Sequence, residues 1–271
     1  MIGAHISDPD FDRLRRFFHA ASGIRLADSK KVLVCGRLAR RLRHLGLDGY
    51  RPYLDLIDAP GQQDERQLAI DLLTTNETHF FREPRHFGLL REEIARLLQA
   101  GLRGPLRLWS AACSTGEEPY SLAMTLAETL GDRPWRVHAS DLSAKVLDDA
   151  RQGIYGAQRA SEVPPDLSAR YLLEGFDEHA GQYRIDASLR QRVSFQQINL
   201  MTPLPALEPF DAVFLRNVLI YFDSAAKKRI VESVVQQLRP GGLLFIGHSE
   251  TLNGVTDVVR PVVPTVYRRP A

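Results

Sequence analysis

Cysteine is nearly absent. Cys35 and Cys113 are the only two in 271 residues, and they show no metal-ligand spacing. A disulfide framework is excluded, no metal site is expected, and a reduced, cytoplasmic setting is. Long apolar runs are missing too, so no membrane insertion is expected. Neither sign of charge dominates: 35 Lys and Arg stand against 33 Asp and Glu, a net charge of +2. No overall field therefore marks a nucleic-acid or membrane-surface binder. The first residues, with Asp8, Asp10 and Asp12, do not resemble a signal or transit peptide. There is no internal repeat and no low-complexity segment. What the chain does have is about 44% apolar residues, enough for a sizeable core in one or two domains.

The rest of the chain is organised around Leu106 to Met124, LRLWSAACSTGEEPYSLAM. An apolar run (Leu106, Leu108, Trp109) gives way to small residues, and Glu117-Glu118-Pro119 then opens a stretch with Leu122, Leu126 and Leu130 at helical spacing. This predicts a strand, a tight turn and a helix, the place where nucleotide-type ligands meet free N–H groups at a helix start. Glycine is scarce in the turn, where Gly116 stands alone, so it is not a dinucleotide fingerprint. Glu117 and Glu118 would repel a pyrophosphate. They suit a ligand with hydroxyls or a positive charge, and S-adenosylmethionine has both. An ordinary βα turn capped by Ser114 or Thr115 fits the same residues.

Before residue 105 the pattern is helical throughout. Asp8 with Pro9 predicts an N-cap and first helical position, Phe11, Leu14, Phe17 and Phe18 a buried face, and Gly23 a stop. The next helix is expected from about Lys30 to Leu45, with Val34, Leu38, Leu42 and Leu45 inward. Arg37, Arg40, Arg41 and His44 line its other side, with no acid in the stretch. Either this is a solvated face or it meets an acidic partner, and the missing negative charge favours the partner. Further helical patterns run through Tyr53 to Ile57 and Gln67 to Leu73. Thr74 to Phe87 (TTNETHFFREPRHF) joins this helical domain, residues 1–73, to the remainder, 74–271. It reads as a capping segment anchored by Phe80 and Phe81, or as a connector crossing the mouth of a cofactor site.

From Leu106 strands and helices alternate as in a doubly wound α/β domain. Trp135 to Ala139 is a second strand, and Asp141 beyond it is placed to bind ribose hydroxyls, to cap the helix Ser143 to Ala150, or to do both. Gly153 to Pro165 reads as a loop, and Leu167 to Leu173 as a helix. Tyr183 to Ile185 with Val193 to Ile198 has the alternation of antiparallel strands, so Asp166 to Arg192 is expected to form an inserted antiparallel β subdomain. Asn199 closes a strand, where its amide could meet an adenine edge. Phe210 to Leu215 is a buried strand ending in Arg216 and Asn217. A helix Ile230 to Leu238, a turn Pro240-Gly241-Gly242, a strand Leu243 to Gly247 and a last edge strand Thr265 to Arg268 complete the chain.

The segments NETHFFREPRHF, WSAACSTGEEPYSLAM, ASDLS, FDAVFLRNVLIYFD, RPGGLLFIGHSETL and the terminal TVYRR follow one another in an order that resembles the chemotaxis-receptor methyltransferases, the CheR family. The resemblance covers nearly the whole chain. It implies a doubly wound methyltransferase sheet with one antiparallel strand near the C-terminus, an inserted small antiparallel β subdomain, and an all-helical N-terminal domain. It also implies transfer of a methyl group from S-adenosylmethionine to glutamate side chains of membrane chemoreceptors, with S-adenosylhomocysteine as product.

By position, the resemblance assigns Asn76, Thr78 and Arg82 to the cofactor site. It puts Glu118 at the methionine end or ribose, Asp141 at the ribose hydroxyls, and Asn199 and Leu200 beside the adenine. Arg216 and Asn217 would lie under the methionine moiety, and Tyr221 near the methyl group. Arg82 and Tyr221 are expected to orient the incoming carboxylate. Arg37, Arg40, Arg41 and His44 are expected to face the cytoplasmic methylation helices of the receptor. In some members the β subdomain docks a receptor C-terminal peptide, and the loop Gly175 to Gly181 does not say whether this chain does.

The chemistry asks for little acid–base help, because a carboxylate with pKa near 4.3 is already ionised at pH 7. Alignment of the reactants is the main requirement. Two other classes compete. A nucleic-acid methyltransferase is suggested by the basic helix, yet Arg216-Asn217-Val218-Leu219 stands where amino-methylating enzymes usually carry a proline-rich acidic or amide motif. A cofactor-binding regulatory module without catalysis is the other, and no family-type residue is missing to support it.

Overall fold

The computed structural model describes residues 5–271. It divides into two units. One runs to Thr75 and includes Tyr221–Ala226; the other comprises Asn76–Ile220 and Lys227–Ala271.

The first unit is helical: α1 (Asp8–Ser22), α2 (Lys31–His44), α3 (Tyr50–Asp58) and α4 (Gln63–Leu73). The cap of α1 is Ser7 rather than Asp8; its hydroxyl accepts from the Asp10 N–H at 3.2 Å, and Asp8 is already helical. Gly23 ends α1 in the left-handed conformation that its lack of a Cβ permits. Val34, Cys35, Leu38 and Leu42 are the buried face of α2. They share the core of this unit with Phe11, Leu14, Phe18, Tyr53 and Ile57.

In the second unit, α5 (Arg85–Gln99) follows Pro84, and β1 (Leu106–Ser110), α6 (Glu117–Leu130), β2 (Trp135–Asp141) and α7 (Ala144–Gln152) come next. Then come β3 (Ile154–Gly156), α8 (Ala157–Ala160), α9 (Pro165–Tyr171), β4 (Leu172–Glu174), β5 (Gln182–Ile185), α10 (Ala187–Arg190) and β6 (Val193–Gln197). The chain ends with β7 (Phe210–Leu215), α11 (Ser224–Gln236), β8 (Leu238–Ile246), β9 (Arg260–Val263) and β10 (Val266–Arg268). Seven strands form one sheet in the order β6-β2-β1-β7-β8-β10-β9. Pairing is parallel from β6 to β8, and β10 runs antiparallel to both its neighbours. This is the doubly wound sheet with an antiparallel strand near the C-terminus that the resemblance implies, and its strand order reverses between β1 and β7. Ligands bind at such a reversal, beyond the carboxyl ends of the strands.

The inserted sheet is present, but its strands differ from those expected. It is β3-β5-β4, so it starts at Ile154, inside the stretch read as a loop, rather than at Asp166. Val193–Gln197 is not its partner strand; it pairs in parallel with β2 as an edge of the large sheet. An edge strand with one wet face alternates just as a hairpin strand does, so periodicity could not separate the two. The segment Pro240-Gly241-Gly242 lies within β8, which absorbs it as a register shift opposite Phe210 and Ala212. The outer edge is β9, with β10 one place further in.

Candidate functional site

The carboxyl ends of β1, β2, β7 and β8 carry a connected set of charged and polar groups. Ser110 closes β1, and its hydroxyl donates to Glu118 Oε1 at 2.7 Å. Glu118 Oε2 accepts from Arg216 Nη1 at 2.9 Å. Arg216, just past β7, also donates through Nε at 3.2 Å and Nη2 at 2.9 Å to Glu83 Oε2, and to the Arg82 carbonyl. One guanidinium thus joins the connector, the first turn of α6 and the end of β7. Burial raises the carboxyl pKa of Glu118, against the pull of Arg216 and Ser110. Burial also acts to raise Glu83, but the His248 N–H, Arg216 and Asn217 outweigh it and hold Glu83 at about 2.

Two loops are pinned to this set by a third acid. Glu250 accepts from the backbone N–H groups of Gly247 at 2.6 Å, Asn217 at 3.0 Å and Ile220 at 3.2 Å. The loops after β7 and β8 therefore approach closely. A Cβ on Gly247 would fall 2.4 Å from Asn217 Nδ2, so only glycine fits. Burial raises the Glu250 pKa, and those N–H groups oppose it.

On the β2 side, Asp141 is the last strand residue. Its Oδ2 accepts from the Ser114 N–H at 2.8 Å and its Oδ1 from the Ser143 N–H at 3.0 Å. Ser143, not Asp141, caps α7. Ser114 donates to the Asn76 carbonyl at 2.8 Å, which ties the connector to the turn after β1. Phe80 is buried edge-on against Tyr155 at 4.8 Å, and the Phe81 N–H donates to Ser121 Oγ at 2.9 Å. Phe81, Glu83, Ser114 and Asn217 all have positive φ without being glycine. Backbone strain of this kind gathers where surrounding structure over-determines it, which is typical of ligand sites.

Of the residues singled out in the sequence, Glu118 and the Arg82 carbonyl meet at Arg216, Arg216 and Asn217 meet at Glu83, and Asn76 and Asp141 meet around Ser114. Arg82 and Thr78 are half-buried, and Arg82 donates to the Glu77 carbonyl at 3.1 Å. Asn199 lies two residues past the end of β6, and its Oδ1 accepts from the Met201 N–H at 2.9 Å; Leu200 beside it is half-buried. Tyr221 ends a 3-10 turn and groups with the helical unit, where its carbonyl accepts from the Arg25 N–H at 3.4 Å. Glu83, Glu250 and Ser110 escaped the sequence reading, although each stands in a quoted segment; Ser114, read there as a possible cap, does not cap α6 and bonds Asp141 and the Asn76 carbonyl instead.

The basic face of α2 needs correction. Arg37 donates to the Leu73 and Thr74 carbonyls at 2.8 and 2.9 Å, closing the end of α4. Arg41 forms a two-pronged pair with Glu65 of α4, with Nε at 3.0 Å from Oε1. The acid absent from the helix itself comes from its neighbour in space. Arg40 and His44 are exposed.

Three carboxylates (Glu83, Glu118, Asp141) against one guanidinium make the rim of this edge acidic. That donor set suits a cationic ligand bearing hydroxyls and disfavours a pyrophosphate. Comparison with known proteins agrees. Residues 76–267 match the family described as CheR methyltransferase, SAM binding domain, and residues 9–74 match CheR methyltransferase, all-alpha domain. The chain is 46% identical over 267 residues to chemotaxis protein methyltransferase 2 of Pseudomonas aeruginosa, covering 97% of this chain and 94% of that one. It is 44% identical over 251 residues to the chemotaxis protein methyltransferase of Escherichia coli (strain K12), covering 92% and 86%.

Proposed function

The chain belongs to the CheR methyltransferase family and uses S-adenosylmethionine, and we propose that it forms methyl esters on glutamate side chains of membrane chemoreceptors. The observation that carries this reading is the acidic carboxyl edge of the sheet, built on Asp141, Glu118, Glu83 and Arg216. When bound, the cofactor supplies an electrophilic methyl group. A glutamate acceptor is already ionised at neutral pH and needs no base. The work left to the protein is binding, orientation and exclusion of water.

In this reading Asp141 receives the ribose hydroxyls while its carboxylate keeps the turn after β1 in place. Glu118, Arg216 and Asn217 border the methionine moiety, Asn76 and Thr78 belong to the connector side, and Asn199 and Leu200 border the adenine. Arg216 acts by positioning, since its donors are committed to Glu83, Glu118 and the Arg82 carbonyl. Arg82 and Tyr221 orient the acceptor carboxylate. A clamp that is too strong would stabilise ground and transition states alike, so a half-buried arginine and a hydroxyl suit the task. Exposed cations of α2 meet the glutamate-rich receptor helix, and the β3-β5-β4 sheet is the candidate dock for a receptor C-terminal peptide. Among the described residues no helix is long and apolar enough to cross a membrane. We place the reaction at the cytoplasmic portion of the receptor.

The test is incubation with methyl-labelled cofactor and a chemoreceptor cytoplasmic fragment. A glutamate ester releases its label as volatile methanol in mild alkali, and label that survives this treatment would sink the reading. Asp141→Ala should weaken S-adenosylhomocysteine binding by roughly 1.5–3 kcal/mol, the worth of a charge-assisted contact. Unchanged affinity by calorimetry would remove Asp141 from the ribose site.

A further inference from the structure

A hydrogen-bond account in the α/β unit does not close at His86. This side chain is 1% exposed. Its Nε2 lies 2.9 Å from Thr265 Oγ1, and that hydroxyl donates its only proton to the Pro264 carbonyl at 2.6 Å. Thr265 can therefore only accept from the ring. With that hydroxyl engaged by the Pro264 carbonyl, the neutral ring bonds Thr265 as the Nε2–H tautomer, which puts its lone pair on Nδ1. Among the described residues Nδ1 has no hydrogen-bond partner, and the group facing it is the Glu83 carboxylate, with Oε2 at 3.4 Å. A lone pair opposite a carboxylate oxygen is repulsive unless something positive lies between them.

His248 supplies a third ligand. Its Nε2 is 3.8 Å from the same Glu83 oxygen, and the three ligand atoms lie within 4.8 Å of one another. Metal–ligand bonds of about 2.0–2.2 Å in a tetrahedron set the ligand atoms roughly 3.3–3.6 Å apart. The Glu83–His86 separation already meets this, and a small turn of the His248 ring, 54% exposed, brings in the rest and leaves a path from solvent. Two imidazoles, one carboxylate and an open fourth position make a donor set for zinc-like ions rather than for calcium or magnesium. Thr265, holding the far side of the His86 ring, is the outer partner such a ligand requires. Although the cysteine pattern led to no expectation of a metal, we propose that Glu83, His86 and His248 bind a divalent transition-metal ion of the zinc type. Arg216 shares Glu83 Oε2, and Glu118 on its other side offsets its charge. An ion at the site competes with Arg216 for Glu83, and so bears on the network beneath the cofactor edge.

The test uses the full chain, stripped with chelator and titrated with Co²⁺ alone and then with Zn²⁺ alone. The expected result is one ion per chain, a visible Co²⁺ spectrum of tetrahedral type, and displacement of Co²⁺ by Zn²⁺. His248→Ala should weaken binding at least about tenfold, with the circular dichroism and the metal-free melting curve unchanged. His86→Ala removes a buried ring from the core, so the exposed His248 carries the test. Absence of binding at micromolar metal, a Co²⁺ spectrum of octahedral type, or equal affinity in His248→Ala overturns the proposal.

Discussion

Arg41 in the helical unit and Arg216 in the α/β unit each hold glutamate by two prongs, yet they stand in different surroundings. The Arg41 side chain is 24% exposed and has one acid, Glu65; that of Arg216 is 2% exposed and lies between two, Glu83 and Glu118. The first pair braces α2 on α4. The second is the point where connector, helix and strand end converge, so its loss reaches three segments at once. An ion pair open to water contributes little, whereas breaking a dehydrated one leaves a charge with no means of relief.

The largest expected effect follows directly. Arg216→Met should leave Glu83 and Glu118 without their cation and cost about 3–5 kcal/mol in urea unfolding. Arg41→Met should cost less, about 1–3 kcal/mol. The reverse order would break the comparison.

Glu250 comes next. Among the described residues it bonds no charged side chain; its carboxylate ties down three backbone N–H groups. Glu250→Ala orphans all three and should cost about 2–4 kcal/mol, and Glu250→Gln, which keeps one acceptor oxygen, about half of that. Equal losses for the two would show that the charge, rather than the acceptor geometry, holds the loops.

Glu83 and Glu250 mark where the sequence stopped being informative. The strand–turn–helix at Leu106 to Leu130 was legible because apolar period and small-residue turn agree locally. So were Asp141 at the end of β2 and the alternation of strands and helices. Glu83 was not, because its partner Arg216 lies 133 residues away and no local period announces the pair. The three-residue strands β3 and β4 are too short to show a period, and β5 carries alternation that names no partner. Charge was misread on α2 for the same reason. Glu65 relieves Arg41 across space, and the helix sequence alone shows only cations.

A smaller effect separates burial from pairing. His138 is pushed down to about 4 by burial, with Arg107 adding to the shift, so it is neutral in the fold. Between pH 6.5 and 4 the unfolded chain binds the extra proton, and stability falls as pH drops through that window. Glu83 acts lower down: its stabilisation is complete above pH 4.5 and fades toward its folded value of about 2. Glu118 and Glu250, with raised values, pull the opposite way above 4.5. The interval above pH 4.5 therefore reports on His138 together with His86, which burial and Arg216 also push down to about 4, against the opposing pull of the two acids. His138→Phe keeps an aromatic ring beside Trp109 and Phe210 and should flatten the loss from pH 6.5 to 4.5 by about 1–2 kcal/mol. An unchanged slope in pH-dependent thermal melts would remove His138 from the account.

The smallest effect on stability, and the most telling for function, concerns the cations of α2 that brace nothing among the described residues. Arg37 and Arg41 are committed to α4 and its end, which leaves Arg40 and Arg43, with His44, on the exposed side. Val32, Gly36, Arg40 and Arg43 follow one another at helical spacing along that side, and Val32 is 80% exposed. An apolar side chain next to cations suits a partner helix that is acidic and amphipathic. Charge complementarity chiefly raises the association rate, and salt screens it over about 8 Å at physiological ionic strength. Arg40→Glu with Arg43→Glu should therefore leave the melting temperature and cofactor affinity unchanged while lowering receptor methylation steeply at low salt. Wild-type activity should fall as salt rises, and the double variant should respond much less. Arg41→Met should do the opposite, lowering stability while keeping the wild-type salt response. If the double variant methylates normally with the wild-type salt dependence, α2 is a solvated face and receptor recognition lies elsewhere on the molecule.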